Sequence, residues 1–241
     1  MTAMPAPPPG VAARLASILA RVEAACRAVG RRPEDVVLIG VSKTQPAAAV
    51  AAAWQAGLRV FGENRVQEAA AKSRDLAALQ PGAAPEWHLI GPLQSNKVKP
   101  ALDLFTTIHS VDRPRIAEAL DREATARGHT LTGFLEVNLG GEDSKHGFAA
   151  EGLAEAVRPL AGLGHLRIAG LMAIPPQGET PEDSRPWFRR LRELRDDLAA
   201  RPEWQGFPGW LSMGMSDDFE VAVEEGATHV RVGTALFGPR N

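Results

Sequence analysis

The 241-residue chain has no tyrosine and a single cysteine, Cys26. One cysteine rules out an internal disulfide, argues against a cysteine metal cluster, and fits a reducing cytoplasm. No apolar stretch approaches the roughly 20 residues that cross a bilayer. Neither sign of charge dominates: 27 Lys and Arg face 29 Asp and Glu, for a formal charge of −2. Nucleic acid and anionic membranes are therefore not expected partners. The start, MTAMPAPPPGV, has no basic segment followed by an apolar one, so it does not read as a secretory signal. Residues 1–10 are expected to form a disordered, proline-rich arm. The missing tyrosine bears on mechanism, because no phenol is available as an acid or base.

What is present is ordinary for a soluble globular protein: 44% hydrophobic and 23% charged residues. The length is ample for a buried core. Helical periodicity over 11–29 places Leu15, Ile18, Leu19 and Val22 on one face, with Gly30 as a C-terminal cap. Beyond it, apolar strand-like runs alternate with helical segments. Strands are predicted at 36–42, 59–61, 86–90, 105–111, 133–138, 167–173, 210–213 and 229–232. Helices are predicted at 47–55, 64–79, 114–127, 149–161, 183–200 and 217–225. Such alternation implies a parallel sheet, and eight repeats in this length suit a closed (β/α)8 barrel. The N-terminal helix is expected to fill the outer ring where little chain remains after the last strand. Residues 11–241 are expected to form one domain.

Barrel active sites lie at the C-terminal ends of the strands. Lys43 follows the first apolar run, Val36-Val37-Leu38-Ile39-Gly40-Val41-Ser42, at that end. It is either a solvated strand-end lysine or, where desolvation lowers its pKa, a nucleophile able to form a Schiff base with a carbonyl compound. Near the end of the chain, Leu211-Ser212-Met213-Gly214-Met215-Ser216-Asp217-Asp218 sets hydroxyl residues and a glycine just before a helix. Val232-Gly233-Thr234 makes a second small-residue turn. These follow the seventh and eighth strands, where barrels frequently bind phosphate. Asp217 or Asp218 could instead simply cap the helix. Arg231 interrupts an apolar run and needs an acceptor, either a carboxylate or a ligand. His88 and His109 lie within strands, as hydrogen-bonded core residues or acid–base groups; their spacing matches no metal signature.

Several blocks resemble one known family. They are Val41-Ser42-Lys43-Thr44, Phe61-Gly62-Glu63-Asn64-Arg65-Val66-Gln67-Glu68 and Trp87-His88-Leu89-Ile90-Gly91-Pro92-Leu93-Gln94-Ser95-Asn96-Lys97. They continue through His109-Ser110-Val111-Asp112, Gly170-Leu171-Met172-Ala173-Ile174-Pro175, the 211–218 turn and Val230-Arg231-Val232-Gly233-Thr234-Ala235-Leu236-Phe237-Gly238. In this order, from about residue 35 to the C-terminus, they resemble the pyridoxal phosphate homeostasis proteins, also described as YggS-like or proline synthetase co-transcribed homologues. The resemblance implies a barrel like the N-terminal domain of alanine racemase. It implies pyridoxal 5′-phosphate held as an internal aldimine on Lys43, with Asn64 near the lysine and ring. It sets the phosphate near Ser212, Gly214, Ser216, Gly233 and Thr234, and Arg231 near the pyridine nitrogen. It further implies a monomeric cytoplasmic protein of vitamin B6 and amino-acid homeostasis without established catalysis. Apo pyridoxal-phosphate enzymes are the possible recipients of the cofactor.

Alanine racemases pair the lysine with a tyrosine from a second domain; this chain has no tyrosine, and its length is not expected to leave room for that domain. A non-catalytic carrier is therefore the expectation. A pyridoxal-phosphate-dependent racemase or lyase is the alternative, and a class I aldolase is a third reading from barrel geometry alone.

Overall fold

The first long helix, α1 (Val11–Ala28), buries Leu15, Ile18, Val22, Ala25 and Cys26, a spacing that follows the helical repeat. Val29 caps it and Gly30 continues in the left-handed region at φ +69°, where an L side chain would be strained. The structure is a computed structural model that describes residues 10–142 and 146–239. Apart from Gly10, the expected N-terminal arm lies outside the described residues.

The strands that follow are β1 (Val37–Val41), β2 (Val60–Glu63), β3 (Glu86–Leu89), β4 (Phe105–Val111), β5 (Leu131–Asn138), β6 (Phe148–Ala149), β7 (Leu166–Met172), β8 (Trp210–Ser212) and β9 (His229–Val232). All pairings are parallel, and the ring closes as β1-β2-β3-β4-β5-β7-β8-β9 with β9 back against β1. That is the predicted eight-stranded barrel. β6 is an extra two-residue strand on β5.

The principal helices between strands are α2 (Ala47–Gln55), α3 (Val66–Leu79), α4 (Val98–Ala101), α5 (Pro114–Arg127), α6 (Leu153–Val157), α7 (Arg185–Ala199), α8 (Phe219–Glu224) and α9 (Thr234–Phe237). α9 is a single turn, and α1 packs beside it and α8. Arg14 Nε donates to the Leu236 carbonyl at 2.6 Å, and Arg31 Nη1 to the Val223 carbonyl at 2.6 Å. The first helix thus completes the outer ring, as expected from the shortage of chain after β9.

The predicted helix over 149–161 is a correction. It is instead β6, the short α6, and a 3-10 turn over Arg158–Gly162. Gly152 sits at φ +72° and Pro159 has no N–H to continue an α-helical ladder. The β3–β4 connection holds a 3-10 turn (Ser95–Lys97) and α4, where no helix was predicted.

The barrel interior is a layer of rings. Phe134 stacks on His109 with centroids 4.3 Å apart and planes at 8°, and His229 packs edge-on to both. His88 and Trp210 complete the layer.

Candidate functional site

The β1–β9 register pairs Ile39 with Arg231. Side chains alternate along a strand, so Ile39, Val41 and Lys43 fall on the face that Arg231 occupies. That face lines a cavity of about 220 Å³ at the C-terminal mouth, and Lys43, Asn64, Ser216, Arg231, Gly233 and Thr234 are all part of its wall. Six of the eight residues expected at the site are thus brought together from four strand ends, those of β1, β2, β8 and β9. Val41, Ile90, Ile174 and Met215 supply its apolar surface.

Lys43 is held by the backbone on either side of it. The Ser42 hydroxyl donates to Glu63 Oε1 at 2.7 Å, and the Ser42 carbonyl accepts from Lys72 Nζ at 2.6 Å. The Thr44 N–H donates to Glu68 Oε1 at 2.5 Å. Thr44 has φ +65°, the only non-glycine with positive φ among the described residues. A β-branched residue there is strained, and its surroundings over-determine it. Lys72 is buried, bonded also to Glu63 and Glu68. Burial pushes the Glu63 carboxyl up, while Lys72 and Ser42 pull it back. Sequence reasoning missed Lys72 and Glu68. Their separation of four on α3 is a signal for an ion pair, but it does not distinguish a surface pair from a buried clamp.

Ser216 Oγ accepts the N–H groups of Gly233 (3.3 Å) and Ala235 (3.2 Å), tying the turns after β8 and β9 together. Both acceptor positions are then used, so the Ser216 hydroxyl hydrogen is left to donate. Ser212 and Gly214 stand one step behind the cavity. Ser212 is fully buried, and its hydroxyl meets Arg231 and His109. Gly214 has φ +89°, and an added Cβ would lie 2.5 Å from the Ala222 Cβ. Its carbonyl accepts the Arg231 N–H at 3.0 Å. Asp218 proves structural: its carboxylate accepts the Met215 N–H and the Ser184 hydroxyl. Asp217 is an exposed neighbour on the cavity rim.

Arg231 has no carboxylate within ion-pair distance among the described residues. Its Nη1 donates to Ser212 Oγ at 2.7 Å and its Nη2 to the Ala173 carbonyl at 3.0 Å. Burial brings its pKa down to about 10, with Asp218 and Glu136 acting the other way. A buried guanidinium anchored only by neutral oxygens is a donor available to a ligand.

His88 and His109 lie in the core, outside the cavity wall. Burial first, then His88, His229 and Arg231, holds the His109 imidazole well below its ordinary range. Glu136, another charged residue in an apolar strand, was also missed. Burial and Asp112 push its carboxyl up to about 7, against Arg231. The signal is the one that exposed Arg231, a lone charge in an apolar run. No cluster of His, Cys, Asp and Glu that could hold a metal occurs among the described residues. No helix among them is long and apolar enough to cross a membrane.

Comparison with known proteins agrees with this architecture. Residues 14–241 match the family described as "Alanine racemase, N-terminal domain". The pyridoxal phosphate homeostasis protein of Pseudomonas aeruginosa is 48% identical, over 96% of this chain and 96% of its own. That of Aquifex aeolicus is 45% identical, over 94% of this chain and 97% of its own. The structure of PipY from Synechococcus elongatus PCC7942 with PLP bound superposes with a TM-score of 0.81 at 42% identity, covering 95% of this chain and all of PipY. An alanine racemase from Clostridium difficile 630 shares the fold, with a TM-score of 0.66 at 15% identity, over 93% of this chain and 56% of its own. An alanine-racemase-type barrel and near full-length relatives of one name lead to one conclusion: the chain is a member of the pyridoxal phosphate homeostasis protein family.

Proposed function

We propose that this protein binds pyridoxal 5′-phosphate, holds it covalently as a Schiff base on Lys43, and serves intracellular vitamin B6 and amino-acid homeostasis without turning over a substrate. The observation that carries the proposal is the single cavity wall shared by the Lys43 amine, the Arg231 guanidinium and the Ser216–Gly233–Thr234 turn. The donor set fits the group. An amine suits its aldehyde, a donor-only guanidinium suits an unprotonated pyridine nitrogen, and hydroxyls beside paired turns suit its phosphate. When bound, the cofactor supplies an aldehyde that condenses with amines and a ring that accepts electron density.

The protein's own residues then have separate tasks. Lys43 anchors, Asn64 orients beside it, and Ser216, Gly233 and Thr234 retain the phosphate. Ser212 and Gly214 act on that site indirectly, through Arg231. A guanidinium cannot protonate the ring nitrogen, which weakens the ring as an electron sink.

A role without turnover is supported by the lack of the tyrosine that an alanine-racemase mechanism uses as its second base. The chain contains no tyrosine. His88, His109 and His229 are buried beneath Arg231, outside the cavity wall. The cofactor would be kept in the cytoplasm by a monomer, with residues 11–241 as one binding unit, and passed to apo forms of pyridoxal-phosphate enzymes.

The test is an absorption spectrum of purified protein before and after borohydride, with the modified residue located by mass spectrometry. Long-wavelength absorbance that is lost in Lys43→Ala, together with reduction at Lys43, is expected. A colourless protein after incubation with pyridoxal phosphate would overturn the binding proposal. Turnover of an amino acid that disappears in Lys43→Ala would favour a racemase or lyase instead.

A further inference from the structure

Beneath the cavity, polar side chains run from one end of the barrel to the other. Arg231 Nη1 lies 2.7 Å from Ser212 Oγ, and Ser212 Oγ lies 2.8 Å from His109 Nδ1. His109 Nε2 is 2.9 Å from His88 Nδ1, and His88 Nε2 is 3.1 Å from Glu86 Oε1. Glu86 is half-exposed at the start of β3, and the three groups between it and Arg231 are buried.

Arg231 fixes the direction. A guanidinium only donates, so Ser212 accepts from it. The Ser212 hydroxyl is fully buried and has no third partner among the described residues, so its hydrogen goes to His109 Nδ1. His109 Nδ1 then accepts, and a neutral His109 carries its proton on Nε2. That proton is donated to His88 Nδ1, which leaves the His88 proton on Nε2, directed at the Glu86 carboxylate. Every donor meets one acceptor. The opposite arrangement, with an imidazolium at His88 and the proton on His109 Nδ1, gives Ser212 two donors and strands its hydroxyl hydrogen in the core. Phe134, stacked on His109, holds the ring plane that this geometry requires.

We infer that His109 and His88 are positioning residues: with Ser212 and Glu86 they form a one-way hydrogen-bond chain that holds the Arg231 guanidinium at the cavity floor. The link to cofactor binding rests on the reading of the cavity given above, whereas the direction of the chain does not. The chain stands in for a carboxylate partner, which Arg231 does not have among the described residues. It delivers a negative end to the guanidinium through neutral groups, so the donors facing the cavity are not consumed by an ion pair. It also accounts for two histidines that serve no acid–base step.

The experiment is long-range 1H–15N NMR on protein carrying 15N-labelled histidine, with and without pyridoxal 5′-phosphate. Both His88 and His109 should be neutral with the proton on Nε2 at pH 7, in either state. A proton on His109 Nδ1, or an imidazolium at His88, would overturn the inference. In a second arm, Ser212→Ala should redistribute the His109 tautomers, shift the bound-cofactor absorbance, and weaken cofactor affinity roughly tenfold, as expected for losing one hydrogen bond to a charged group. Parent-like affinity and absorbance in a folded Ser212→Ala variant would also overturn it. Should that variant not fold, the parent spectra alone decide. Should the parent bind no cofactor, the cavity reading fails while the tautomers still report the chain.

Discussion

Lys72 donates to the backbone carbonyl of Ser42 at 2.6 Å, so a buried cation on α3 grips the residue immediately before Lys43. The same ammonium bonds Glu63, which in turn takes the Ser42 hydroxyl. The loop that carries the candidate anchor lysine is therefore fixed from the helix side by a buried ion pair, not by its own local conformation.

Removing one member of such a pair leaves the other charge buried without compensation. Lys72→Met is expected to lower the unfolding free energy by about 3–5 kcal/mol, read from urea denaturation. The double variant Glu63→Gln/Lys72→Met should recover part of that loss, because the stranded carboxylate is gone. A Lys72→Met variant as stable as the parent would show that the clamp does not hold.

Thr44 carries the strain of that loop. Its left-handed φ of +65° costs a β-branched residue more than it costs glycine. Thr44→Gly should therefore stabilise the fold by up to about 1 kcal/mol in thermal or urea unfolding. The same change frees the backbone beside Lys43, so cofactor affinity should fall. A gain in stability with unchanged affinity would mean that the conformation of Thr44 plays no part in aiming the lysine.

Glu136 sets a pH dependence whose sign is opposite to that of an ordinary paired carboxylate. Its carboxyl is raised from 4.5 to about 7 in the folded chain. Between those values the folded state binds more protons than the unfolded state. The associated stability is present below about pH 4.5 and is lost as pH rises through about 7. Glu136→Gln should thus be more stable than the parent at pH 8, by about 1–3 kcal/mol, with the advantage gone at pH 4. Parallel urea titrations of the two proteins at both pH values check this. Equal differences at pH 4 and pH 8 would place the Glu136 pKa in the ordinary range.

Most residues of the candidate cavity were legible in the sequence. Lys43 and Arg231 stood out as charges set in apolar runs, and the turns at 212–216 and 233–234 as small residues at strand ends. The predicted helix over 149–161 does not form as one element, because Gly152 and Pro159 carry backbone restrictions that decide the outcome locally. Lys72 and Glu68 were passed over because an i,i+4 pair looks the same on a solvated helix face as in a buried clamp.

By itself, the sequence determined the alternation of strand and helix, hence the closed parallel barrel, and which end of it carries the polar residues. Those features follow from hydrophobic periodicity and turn chemistry, which act over a few neighbouring residues. It also determined the absence of a tyrosine. Only the tertiary structure decided the environments. Ser212 and His109 are 103 residues apart in the chain and meet at 2.8 Å because β4 and β8 both point into one interior. Among the described residues Arg231 is left without a carboxylate for the same reason, since burial and direction are set by what the closed ring brings face to face. No local pattern carries that information.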